Sequence, residues 1–168
     1  TGVNDDVIDG PVGYTIVTAP AVSTDANYSG KNPDDVSVTN TDDDATTVSI
    51  VATDASGSEP GTDDGLFTVT LAGGKLAPPA GIVVNYTIAG NATPGADYTA
   101  FSGSATIPAG ASSATIVVDV LSDEVVEPIE TVTLTLTGAN RASVTVGTPN
   151  SASANITADD TATVSIAR

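Results

Sequence analysis

Residues 122–138, SDEVVEPIETVTLTLTG, join an acidic turn to a strand of strict alternation, and this junction constrains the chain more than any other stretch. From Thr131 to Thr137 every second residue is apolar (Val132, Leu134, Leu136) and the rest are Thr. A period of two is that of a strand with one buried and one solvated face. Asp123, Glu124, Glu127 and Glu130 fall just ahead of it, so four carboxylates are held at the mouth of a rigid strand. Pro128 stiffens the turn and lowers the entropy lost on ordering it. Left alone, such a cluster repels itself. The counter-charge that fits is a hard divalent cation, which takes about six to eight oxygen ligands.

Composition narrows the chemistry in the same direction. Four Lys+Arg against 21 Asp+Glu give a formal net charge of -17. That balance repels nucleic acid and anionic membrane surfaces and calls for a cationic partner. The absence of Cys and His removes the thiolate and imidazole ligands of zinc, copper and iron sites, together with Cys/His pairs and Ser/His/Asp triads. Oxygen chemistry remains. Paired carboxylates could serve a glycoside hydrolase, but two Phe, no Trp and no His leave little for a sugar platform or a proton shuttle, and no enzyme is expected. The acid spacing of an EF-hand loop and the Gly-rich nonapeptide of calcium β-rolls are both missing. The chain has no apolar run of about 18 residues and no signal-peptide pattern. Direct membrane insertion is therefore not expected, and the segment reads as one cut from a longer chain. Abundant Thr, Ser, Ala, Gly and Val with scarce Lys suit an extracellular or cell-surface β protein.

Short alternating runs recur along the chain and 3.6-residue stripes do not. Strands are expected near residues 12–19, 35–40, 46–52, 66–72, 82–89, 103–107, 113–121, 131–137, 152–157 and 162–167, separated by Gly, Pro, Asp, Asn and Ser clusters. Many short strands so spaced indicate an all-β, antiparallel two-sheet sandwich of the immunoglobulin-like kind. Its core is expected at Val48, Ile50, Phe67, Val69, Leu71, Val84, Tyr86, Ile88, Ile107, Ile116, Val118, Val120, Val132, Leu134, Leu136 and Ile156. Asp25, Asp34, Asp63 and Asp64 read as ordinary loop charges.

An internal repeat sets the domain layout. Asp5-Asp6-Val7-Ile8-Asp9-Gly10 followed by Tyr14-Thr15-Ile16 lies over residues 123–128 followed by Val132-Thr133-Leu134. Asp43-Asp44-Ala45-Thr46-Thr47-Val48-Ser49-Ile50 lies over residues 159–166. Both offsets are roughly 116 to 118 residues, the size of one sandwich domain. Residues 1–44 are then the back half of one repeat, 45–160 a complete repeat, and 161–168 the first strand of a third.

The complete repeat resembles a Calx-β domain. The resemblance rests on Glu59 ahead of a strand, on Val84-Asn85-Tyr86-Thr87 leading to Gly95-Ala96-Asp97-Tyr98, and on Ile107-Pro108-Ala109-Gly110. It rests also on Asp123 to Glu130 before the alternating strand and on the closing Ile156-Thr157-Ala158-Asp159-Asp160. What it implies is a calcium cluster at one end of the sandwich, with Glu59, Asp97, Asp123, Glu127, Glu130, Asp159 and Asp160 as ligands. Glu124 joins them only because it shares the turn. Ser122 and Ala158 stand where the family commonly has acids, so the ions are fewer or more weakly held. In the N-terminal half Asp9 replaces Glu127 and Val12 replaces Glu130, while Asp42-Asp43-Asp44 is intact. Asp5, Asp6, Asp9, Asp42, Asp43 and Asp44 are thus expected to form a second calcium cluster near the junction with the complete repeat.

Tandem repetition favours a calcium-stiffened structural repeat of an adhesin, fibre or matrix protein over a calcium-sensing regulatory module. Half repeats at both ends suggest head-to-tail association with neighbouring repeats or identical subunits, the last strand completing another N-terminal half.

Overall fold

Valine, isoleucine and threonine dominate the alternating runs because branched side chains pack well on a pleated surface. The computed structural model describes residues 4–59 and 63–166. Strands β1 (Val12–Ile16) and β2 (Val36–Asn40) pair antiparallel as a separate two-stranded sheet. The remaining strands are β3 (Thr46–Asp54), β4 (Ser56–Ser58), β5 (Gly65–Leu71), β6 (Ile82–Gly90), β7 (Ser104–Ile107), β8 (Ser113–Val118), β9 (Glu130–Ala139), β10 (Val144–Val146) and β11 (Ser151–Thr157). They build two sheets, ordered β10-β3-β5-β8 and β4-β11-β9-β6-β7. Pairing is antiparallel except for the short parallel pairs β10–β3 and β4–β11.

The inner faces of the two sheets supply one core. Val48, Ile50, Phe67, Val69, Ile116 and Val118 from the first sheet meet Val84, Tyr86, Ile107, Val132, Leu134 and Ile156 from the second. Phe101 packs edge-on to Tyr86 and tilted over Tyr98, with centroids 6.3 and 5.0 Å apart.

Three features depart from the sequence expectation. Ile88 is 40% exposed: β7 pairs only with Ile82 to Asn85, so the outer half of β6 is flanked on one side alone. No strand forms over 162–166, where Val164 and Ile166 are almost fully exposed, while residue 167 lies outside the described residues. A lone strand has no ladder to join, and pairing is what holds a strand extended. Ile8, in contrast, lies in the segment before β1 and is fully buried in the core of the sandwich that follows.

The small sheet has the same pairing as β9 with β11. Val12↔Asn40, Tyr14↔Val38 and Ile16↔Val36 correspond to Glu130↔Ile156, Val132↔Ala154 and Leu134↔Ala152. The turn before each is also alike. Asp5 Oδ1 accepts from the Val7 N–H at 2.9 Å, as Asp123 Oδ1 does from the Val125 N–H at 2.7 Å.

Candidate metal centre

Four chain segments converge at one end of the sandwich. β4 runs parallel to β11, and the Glu59 N–H extends the pairing by donating to the Thr157 carbonyl at 3.1 Å. This sets Glu59 beside the residues that leave β11, Asp159 and Asp160. On its other side β4 packs closely at Gly57, where a Cβ would stand 2.7 Å from Val120 Cγ2 and 3.1 Å from the Asp63 carbonyl oxygen. Asp97 ends a turn in which its carboxylate accepts the Thr93 N–H, while its carbonyl accepts the Leu121 N–H at 3.0 Å. The acidic turn thereby starts next to Asp97. Glu130 opens β9, opposite Ile156.

The packing of β6 on β9 fixes Glu130 further. A Cβ at Gly90 would lie 2.0 Å from the Thr131 carbonyl oxygen, so only glycine admits this contact. Asn91 Oδ1 then accepts both the Thr131 N–H and its hydroxyl at 2.8 Å.

Among the described residues the carboxylates form overlapping groups whose oxygens lie within 4.8 Å of one another: Glu59–Asp123–Glu127, Glu59–Asp159–Asp160 and Asp97–Glu127–Glu130. Glu59 and Glu127 each belong to two. Oxygens bound to a single calcium ion at about 2.3–2.6 Å lie no more than about 5 Å apart, so each group has the spacing one ion needs. Glu59 and Asp97 are 4% and 2% exposed. Glu59 Oε2, Glu130 Oε2 and Asp160 Oδ2 are buried without a hydrogen-bond partner. Buried polar oxygens are ordinarily satisfied, because desolvating one without compensation costs about 1–3 kcal/mol. The donor set, all hard oxygen with orphaned lone pairs, fits calcium.

The electrostatics are those of acids forced together. Burial, then the charges of Asp123, Asp160, Glu127 and Asp159, push the Glu59 carboxyl above its ordinary value. Burial and the neighbouring Asp97, Asp123 and Asp160 do the same to Glu127. A proton that the Glu130 carboxyl can share with Asp97, then burial and the charges of Asp97, Glu127 and Glu59, push Glu130 up to about 7.

Glu124 is exposed and belongs to none of these groups. The N-terminal acids divide. Asp42, Asp43 and Asp44 form a group of their own and line, with Asn4, Asp5 and Asp9, a cavity of about 310 Å³. Asp42 is already engaged, accepting the Gly10 and Asp44 N–H groups at 2.7 and 2.9 Å. Asp6 and Asp44 face Lys75, which binds both; the two carboxylates, Asp44 first, hold its ammonium pKa above the usual lysine range. A protein cation thus stands at this junction. Nothing in the spacing of residues 75–77 signalled it, because Lys75 reaches Asp6 across 69 residues of chain.

The Calx-beta domain family model matches residues 41–161. A search of the curated proteins found no match. Among solved structures the fold resembles CBD12 from CALX1.2 at 19% identity, covering 68% of this chain and 46% of that one, with a TM-score of 0.52. The apo-form Calx CBD1 domain gives 17% identity, 70% of this chain and all of its own, and a TM-score of 0.52. The Calx CBD2 domain gives 13% identity over 66% of this chain and 85% of its own, with a TM-score of 0.50. The chain spans less than half the length of the CBD12 structure it matches.

Proposed function

The chain belongs to the Calx-beta family, and on that premise we propose that it is a calcium-binding structural repeat of an extracellular or cell-surface protein. The observation that carries the reading is the set of overlapping carboxylate groups with three buried oxygens that no hydrogen bond satisfies. Glu59, Asp97, Asp123, Glu127, Glu130, Asp159 and Asp160 would hold the ions, with Glu59 and Glu127 shared between neighbouring ones. Calcium supplies the positive charge that lets these acids stay ionised together, and so ties the ends of β4, β9 and β11 to the acidic turn.

A cluster that joins four segments stiffens the end from which the chain leaves the sandwich. In a tandem array this is the place where one repeat meets the next, so calcium there would set the stiffness of an adhesin, fibre or matrix protein. The apolar face of the small sheet, with Val12, Tyr14, Ile16 and Val36 about half exposed, is open for a neighbouring repeat or an identical subunit. Residues 162–166, which repeat the sequence of β3, are suited to cover it. In the sandwich β3 packs across the core from β11 without pairing to it, and the segment would cover the small sheet in the same way.

Titration calorimetry tests the reading. Dissociation constants of roughly 0.1 to 1 mM, the range of extracellular modules, support the structural role. Constants of roughly 0.1 to 10 μM would place the chain with calcium sensors instead, and no binding heat would remove calcium altogether.

A further inference from the structure

Val7 pairs in parallel with Leu76, the Ile8 N–H donates to the Leu76 carbonyl at 3.0 Å, and the Leu76 N–H donates to the Asp6 carbonyl at 2.8 Å. Through these bonds Ile8 enters the core of the sandwich that follows it, with no exposed surface. Lys75 closes the contact by pairing with Asp6 and Asp44. The segment one repeat later has the same local form and no such partner. Asp123 caps Val125 as Asp5 caps Val7, and β9–β11 follows it in the register of β1–β2. Yet Val125 and Val126 are 52% and 53% exposed, at the positions of Val7 and Ile8.

We propose that Val125 and Val126 are a docking plug for a following repeat of this fold, whose counterpart of residues 75–77 receives them as Lys75, Leu76 and Ala77 receive Val7 and Ile8. Glu124, at the position of Asp6, is the anion for that repeat's lysine. Glu124, apart from the carboxylate groups, thereby acquires a partner. The proposal rests on the tandem-array reading and not on calcium. The partner is fixed by the contact seen here: a strap with a free N–H and C=O for parallel pairing, an apolar socket behind it, and one cation. Docking by this route leaves neighbouring repeats in one orientation, because only three residues separate the plug from the start of β9 at Glu130.

The test is a polypeptide in which residues 1–160 are followed by a second copy of residues 45–160, compared with the single chain. Amide exchange at Leu76 of the second copy is expected to be slowed to match Leu76 of the first. Val126→Asp in the first copy should release that protection at least tenfold while the β-sheet amides of the second copy stay protected. Fast Leu76 exchange in an otherwise protected second copy that lacks the substitution, or slow exchange that Val126→Asp leaves unchanged, overturns the proposal. Should Val126→Asp unfold the second copy, Val126→Ile decides. Isoleucine, the residue found at position 8, should raise the melting temperature of the tandem form and leave that of the single chain unchanged. Equal shifts in both, or none in either, count against docking. Measured in calcium and in chelator, the tandem form separates the two ideas: calcium binding without strap protection sinks the plug alone, and protection without calcium binding sinks the metal alone.

Discussion

The Lys75 ammonium lies 2.9 Å from Asp6 Oδ1 and also holds Asp44, so one of the four basic residues of the chain ties the segment before β1 to the sandwich after it. Replacing Lys75 by Met keeps the aliphatic stem and removes the charge. The Asp6 and Asp44 carboxylates are then left facing each other, and the Leu76 and Ile8 amides should exchange faster while the amides of β5 and β9 keep their rates. Unchanged exchange at Ile8 would mean that the backbone pairing holds the junction without the ion pair.

Ile8 is the apolar half of the same junction. Truncating a fully buried isoleucine to Ala costs about 2–5 kcal/mol in a packed core. Ile8→Ala should lower stability in that range by denaturant titration. Val126→Ala, its exposed counterpart, should stay within about 0.5 kcal/mol in the single chain. Similar losses at the two positions would contradict the burial of one and the exposure of the other.

The sequence and the structure diverge where contacts are made at a distance. The alternation from Thr131 to Thr137 was enough to place β9 and to orient Val132, Leu134 and Leu136 inward, because a period of two leaves only the choice of face. The acidic turn was legible for the same local reason. Lys75 was not, since nothing within a few residues of it is acidic, and neither was the socket for Ile8. β4 and β10 have three residues each and exist through parallel pairing with β11 and β3, too short for any period to register. Residues 162–166 show the reverse: a sequence fit for a strand makes none where no neighbouring strand receives it.

The acids of the metal centre predict an unusual pH dependence. With Glu130 near 7 in the folded domain against an ordinary value of 4.5, the folded state keeps a proton that the unfolded state releases between those values. Without calcium, stability should therefore fall as pH rises from about 4.5 to 7. Glu59 and Glu127, both raised, add in the same direction. Calcium should cancel this fall, and its binding below about pH 7 should release protons, seen as a buffer-dependent heat. Calcium-free stability that rises through this window would contradict the crowding of the carboxylates.

Substitution separates Glu127 from its neighbour in the turn. Glu127→Gln keeps the volume and removes a charge shared by two carboxylate groups, so calcium affinity should fall at least tenfold while the calcium-free fold is kept or gains slightly. Glu124→Gln should leave calcium affinity within about twofold of the parent. Equal effects at the two positions would refute the assignment of ligands within the turn.

Thermal melting with and without calcium tests the central claim most directly. A ligand that binds only the folded state, at a hundredfold excess over its dissociation constant, adds about 2.7 kcal/mol. For a chain of this size that is roughly 5 to 11 °C in Tm. Magnesium should give less, because it requires a tighter octahedron and keeps its waters. The account predicts a melting curve that rises with calcium and returns on chelation; curves that superimpose in calcium and in chelator would contradict it.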